Sequence, residues 1–187
     1  MSTSITLPNN LPTPELSTDY CYEISKWVFD NYDREDIILA TVHGSYLYGT
    51  AHEKSDLDFY VVVEGGKPLK KIFTTPNGYT IDVSQKPVEN FIHLLHEGTH
   101  EALEALYSPY AVWDEESFWA THVKSQKVNL ASFAKKHLST ADSFREFAKS
   151  KPEKAEKFLA HAQRLEHNVE QAYDNNGYYN PVWKALS

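Results

Sequence analysis

The 187 residues hold one cysteine and one methionine, and no apolar run approaches the roughly 18 residues that a membrane span needs. A lone cysteine excludes an internal disulfide framework. Cys21 falls on an expected helix beside Ile24 and Trp27, so it reads as a small buried hydrophobe rather than a nucleophile. Residues 1–16 show neither a basic n-region nor an apolar h-region, which predicts a soluble, untargeted, cytoplasmic protein without a membrane partner. Basic residues are also scarce, 18 against 26 acidic ones, and the net charge of −8 excludes a protein that coats nucleic acid with its whole surface. What is present is bulk. With 41% hydrophobic residues, including nine Phe, twelve Tyr and four Trp, the chain can build a real core, so disorder and collagen-like structure are excluded.

The charge is unevenly placed. Residues 1–123 carry a net of −12 and residues 124–164 a net of +6, so an acidic body is followed by a basic segment.

Periodicity divides the chain further. Met1 to Pro14 holds three prolines and no periodic pattern, which predicts a loose arm over 1–15. Tyr20, Ile24, Trp27 and Val28 recur at helical spacing and predict a helix near Leu16 to Tyr32. Ile37 to Val42 and Asp56 to Val63 read as buried strands ended by Gly44 and by Gly65 and Gly66. Lys70 to Thr75 and Tyr79 to Ser84 flank Pro76-Asn77-Gly78, a turn that predicts a hairpin. From Pro87 the pattern is helical. Its longest stretch is expected from about Pro152 to Asp174, with Phe158, Ala162, Leu165, Val169 and Ala172 as one apolar stripe. The expected fold is α/β (α+β), a small mixed sheet in a core over 16–113 followed by a C-terminal helical region over 114–187.

Chemistry concentrates in Val42-His43-Gly44-Ser45, ten further residues, and Asp56-Leu57-Asp58-Phe59. Residues two apart on a strand share a face, so Asp56 and Asp58 point together while Leu57 and Phe59 pack behind them. Such a pair is a hard-oxygen site of the kind Mg²⁺ takes when substrate phosphates complete its shell. Gly44 lets backbone approach a phosphate, and Ser45 is expected to open a short helix. Asp82 lies between Ile81 and Val83 on a later strand. If that strand neighbours the first pair, three carboxylates can hold two metals roughly 3.5 to 4 Å apart, the arrangement of in-line nucleotidyl transfer.

In Gly44, Ser45, Asp56, Asp58 and Asp82, with Gly49 and Ser55 in the spacer, the chain resembles the DNA polymerase beta-like nucleotidyltransferase superfamily. The segment Glu101 to Pro109 and the helix bearing Lys157, His161 and Arg164 resemble a small bacterial and phage branch of it. The resemblance implies transfer of a nucleoside monophosphate from a nucleoside triphosphate to a hydroxyl acceptor, with pyrophosphate released. It implies two Mg²⁺ (or Mn²⁺) ions held by Asp56, Asp58 and Asp82 as the catalytic residues. Gly44, Ser45, Ser55, Lys157, His161 and Arg164 would then bind the nucleotide, with ATP the one expected. The acceptor is open between a small molecule, a protein and a tRNA, and the alternative is a catalytically inactive nucleotide-binding regulator of the same fold.

Other residues read two ways. Lys157, His161 and Arg164 share one helical face, either a solvated flank or a set reaching triphosphate or base. His43 is expected to keep a backbone partner at the strand end. Glu101 and Glu104 read as a polar helix edge to which the resemblance adds a functional role. His93, His96 and His100 fall near helical spacing, but no Cys or Asp pair completes a zinc tetrahedron, so a polar face is expected.

Overall fold

The computed structural model describes residues 30, 36–52, 55–74, 78, 80–126 and 128–182. The expected arm, the expected first helix apart from Asp30, and Cys21 lie outside them.

Strand β1 (Ile37–His43) is apolar through Val42 except for Thr41, whose hydroxyl bonds Ser108, and is buried there on both faces. The helix α1 (Gly44–Tyr48) follows at once, closed by Gly49 at φ +78°. Strand β2 (Leu57–Val63) begins one residue later than the sequence suggests, so Asp56 stands just ahead of it. Strands β3 (Leu69–Thr74) and β4 (Thr80–Pro87) form the expected antiparallel hairpin; Pro76 and Asn77 lie outside the described residues, and Gly78 takes the positive φ of a tight turn, +85°. Helices α2 (Val88–His96) and α3 (His100–Tyr107) follow, then β5 (Val112–Trp113), which at two residues is too short to leave a periodic signal. The chain continues through α4 (Phe118–Lys124), α5 (Leu130–Ser150), a 3₁₀ turn (Pro152–Lys154) and α6 (Ala155–Asp174). The expectation of one longest helix from Pro152 is thus corrected. Pro152 opens a 3₁₀ turn, where its missing N–H is tolerated, and α5 exceeds α6 by one residue.

The five strands form one mixed sheet in the order β3-β4-β2-β1-β5. Strand β1 is antiparallel to β2 and β5, whereas β2 and β4 run parallel. Alternation sorts β2 onto two faces. Leu57, Phe59, Val61 and Val63 join Val42, Ile81 and Val83 on one side, while Tyr60 and Val62 join Val88, Phe91, Leu95, Leu103 and Phe133 under the helices. Asp58 shares the helix-covered face with Tyr60, and the parallel register sets it opposite Asp82.

Helices α5 and α6 pack as a hairpin through Ala141, Ala162 and Leu165, and Phe144 lies against that cluster. The turn between α2 and α3 lies hard against α5. A Cβ at Gly98, where φ is +70°, would fall 2.8 Å from the backbone of Phe133, so this crossing needs glycine. Side-chain oxygens of Ser117 and Asn129 cap the first turns of α4 and α5. Among the described residues, no helix is long and apolar enough to cross a membrane.

Candidate active site

At the end of the sheet where β1 finishes and β2 and β4 begin, a cavity of about 1210 Å³ opens between the sheet, α3 and α6. Its lining includes Gly44, Ser45, Ser55, Asp56, Asp58, Asp82, Lys157, His161 and Arg164. Every site residue expected from the sequence therefore borders one space, although they come from four stretches of the chain.

Gly44 and Asp58 are locked together. With φ +61° at Gly44, a Cβ there would fall 1.9 Å from Asp58 Oδ2, so the missing side chain makes room for this carboxylate. Ser45 accepts the Gly49 and Thr50 amides through its carbonyl, which closes α1 after five residues. The Ser55 hydroxyl accepts the His52 amide at 2.9 Å and so shapes the turn that delivers Asp56.

The carboxylates crowd one another. Burial pushes the Asp58 carboxyl above its usual range, and the charges of Asp82 and Asp56 push the same way against His43 and Lys70. Lys70 Nζ stands 3.1 Å from Asp82 Oδ2, a pair that sequence reading missed because it crosses the β3–β4 hairpin. Among the described residues no three His, Cys, Asp or Glu side chains already enclose a single ion position. Asp56, Asp58 and Asp82 border the cavity with hard oxygen donors, the type that holds Mg²⁺ when one or two carboxylates are joined by phosphate and water.

The basic helix face divides. Lys157 is exposed at the cavity rim. His161 lies deeper, stacked on Phe144 with ring centroids 5.1 Å apart, and burial aided by Arg164 and Lys157 pushes its imidazole down to about 4. It is neutral at pH 7. Arg164 is only 2% exposed, and its guanidinium is bound to Glu104 and lies 3.6 Å from the centre of the Tyr48 ring.

Glu104 departs from the expected polar edge. It is fully buried on α3, flanked by buried Leu103 and Ala105, while Glu101 remains on the exposed edge and borders the cavity. Burial works to raise the Glu104 carboxyl, but Arg164, His43 and His100 outweigh it and hold the group well below the usual carboxylate range. His43 likewise departs from its expected backbone partner: its Nε2 stands 3.2 Å from Glu104 Oε2. His93 and His96 are exposed at the end of α2, where His96 pairs with Gln126 at 2.8 Å, but the expected polar face does not include His100, which opens α3, is partly buried and borders the cavity.

Comparison with known proteins agrees with this geometry. The profile of the nucleotidyltransferase domain matches residues 23–164, a span that runs from before β1 through Arg164 and takes in every residue described above. No curated protein matches the chain. The strand-borne aspartates, the Gly-Ser turn and the extent of that match lead to one assignment: the chain belongs to the nucleotidyltransferase domain family, consistent with the polymerase beta-like superfamily.

Proposed function

We propose that the protein transfers a nucleoside monophosphate from a nucleoside triphosphate, ATP first among them, to a hydroxyl acceptor and releases pyrophosphate. The observation that carries the reading is the parallel pairing of β2 with β4, which sets Asp58 opposite Asp82 on the face where Gly44 leaves room for a carboxylate. Asp56, Asp58 and Asp82 would hold Mg²⁺ or Mn²⁺, two ions at full loading. When bound, the metal neutralises the phosphate charge that builds up as the bond to the leaving group breaks.

The chain's own residues do the rest. Gly44, bare of a side chain, and Ser45 face the β and γ phosphates, and Lys157 at the rim offsets their charge. Neutral His161 offers an aromatic edge and a ring nitrogen to the nucleoside rather than a charge to phosphate. In the reaction the acceptor oxygen bonds to the α-phosphorus, the bond from that phosphorus to the pyrophosphate oxygen breaks, and the hydroxyl proton passes toward Asp82. Lys70 at 3.1 Å fixes the direction of the Asp82 carboxylate. A cavity of about 1210 Å³ exceeds the roughly 300–1,000 Å³ of a typical small-molecule pocket, which leaves room for an acceptor beside the nucleotide.

The test separates binding from chemistry. Asp82→Asn should keep Mg²⁺-ATP affinity within a few fold and lose on the order of a hundredfold or more in single-turnover transfer. Parental transfer by a folded Asp82→Asn protein would remove the proposed proton acceptor.

A further inference from the structure

We infer that Glu104 is a positioning residue that ties the Gly44–Ser45 turn to α6, so that binding of the triphosphate depends on one buried carboxylate remote from the reacting atoms. The inference rests on the proposed role of Gly44 and Ser45 in holding phosphate.

Three elements converge on this side chain. From α6, the Arg164 guanidinium binds Oε1. The Tyr48 hydroxyl, at the last residue of α1, donates to Oε2 at 2.7 Å, and His43 Nε2, at the residue preceding α1, stands 3.2 Å from the same oxygen. Glu104 therefore holds the five-residue helix at its exit by a hydrogen bond and lies within contact of the histidine at its entry. The Arg164 guanidinium lies 3.6 Å from the Tyr48 ring centre, and His161, three residues earlier on α6, meets the same ring edge-on at 6.2 Å. Any shift of α1 must move Tyr48 against the Arg164 guanidinium that Glu104 holds.

Fold stability does not explain such an arrangement. A buried ion pair costs so much desolvation that well-packed apolar residues of similar volume often serve as well or better. What the pair supplies is direction. A fully buried carboxylate that accepts hydrogen bonds from Arg164 and Tyr48, with the His43 ring nitrogen 3.2 Å away, has one low-energy placement. A turn of five residues has little rigidity of its own, so holding its exit and contacting its entry removes conformational freedom before the ligand arrives, which is how preorganisation raises affinity. The same geometry separates the roles of the three residues on α6: Arg164 is committed to Glu104, with its Nε lacking a hydrogen-bond partner among the described residues, while Lys157 and His161 face the cavity.

The experiment measures Mg²⁺-ATP and adenosine affinity by calorimetry, melting temperature, and amide hydrogen exchange over residues 44–50 in the ligand-free protein. Glu104→Gln should weaken ATP about tenfold, leave adenosine within twofold, and speed exchange over 44–50. The double variant Glu104→Gln with Arg164→Met leaves no charge buried alone. It should recover melting temperature toward the parent while ATP affinity stays low and exchange stays fast. Should Glu104→Gln fail to fold, Tyr48→Phe carries the test, with a loss of about threefold for ATP and the same faster exchange. ATP affinity that recovers together with melting temperature, or unchanged exchange over 44–50, would reduce Glu104 to a packing residue and overturn the inference. A parent protein that binds no ATP would instead refute the reading of Gly44 and Ser45, and the exchange data would then decide the positioning role alone.

Discussion

Replacing Gly44 by alanine adds one methyl group at the point where backbone, carboxylate and cavity meet. Two effects follow, and they act on different observables. At φ +61° an L residue with a Cβ is strained by roughly 1–3 kcal/mol. The new Cβ would also lie 1.9 Å from Asp58 Oδ2, 2.8 Å from its Cγ and 3.2 Å from its Cβ, so the carboxylate must swing aside by on the order of 1 Å. Turning a short, half-buried side chain adds little to the stability loss, but it removes Asp58 from its place opposite Asp82. The expected stability loss is thus about 1–3 kcal/mol, or roughly 2–12 °C in melting temperature for a chain of this size. The expected activity loss is about a hundredfold or more, because misplacement of a catalytic group by about 1 Å has that effect. Calorimetric melting and single-turnover transfer on one preparation measure both. Combining Gly44→Ala with Asp58→Ala should cost less stability than the two changes added together, since the second removes the atoms that clash. A Gly44→Ala protein that transfers at the parental rate would refute the close packing of this turn on Asp58.

Three further outcomes concern the basic side chains. His137 is fully buried, and burial, with the Arg164 and His100 charges, pushes its imidazole down to about 3, so the native protein holds it neutral. The unfolded chain takes up that proton near pH 6.5, so the stabilising contribution is complete above that pH and is lost as pH falls from about 6.5 toward 3, by about 1.4 kcal/mol per unit. His137→Leu should therefore lose about 2 kcal/mol less stability than the parent between pH 6.5 and 5 by urea unfolding; an identical pH slope would contradict it. At the cavity rim, Lys157→Ala should weaken ATP by a few fold, less at high salt, and spare adenosine, whereas His161→Ala should weaken both alike; calorimetry with the two ligands separates them.

Much of this architecture is legible in the sequence, for reasons that can be named. Leu57 and Phe59 alternate with aspartates, so period two marks a strand with one wet face, and Asn77-Gly78 marks the hairpin. The pairing of β2 with β4 is less accessible. Both strands are visible, but only the crossover that makes them parallel sets Asp58 opposite Asp82, and nothing local encodes that register. The Glu104–Arg164 pair is hidden for a different reason. In His100-Glu101-Ala102-Leu103-Glu104-Ala105 the glutamate reads as one more polar helix position, and Arg164 reads as the flank of an apolar stripe. Periodicity identifies one buried face, yet α3 is buried over four consecutive residues, Ala102 to Ala105, because neighbours surround it. Helix α6 likewise buries Arg164 and Asn168 alongside Leu165 and Val169. A salt bridge across 60 residues leaves no local trace. Lys70 and Asp82 escape notice similarly, since their contact depends on the register of β3 against β4.

Transfer of a nucleoside monophosphate at this aspartate site has a signature of its own, since the α-phosphate goes to the acceptor and the γ-phosphate does not. The most direct measurement incubates the protein with Mg²⁺ and a cell lysate, once with ATP labelled at the α-phosphate and once at the γ-phosphate, beside Asp58→Asn protein of matching circular dichroism. The α label should enter an acceptor, the γ label should leave as pyrophosphate, and both events should disappear with Asp58→Asn. Transfer of the γ label to the acceptor, or α-label transfer that persists in Asp58→Asn, would contradict nucleoside monophosphate transfer at this site.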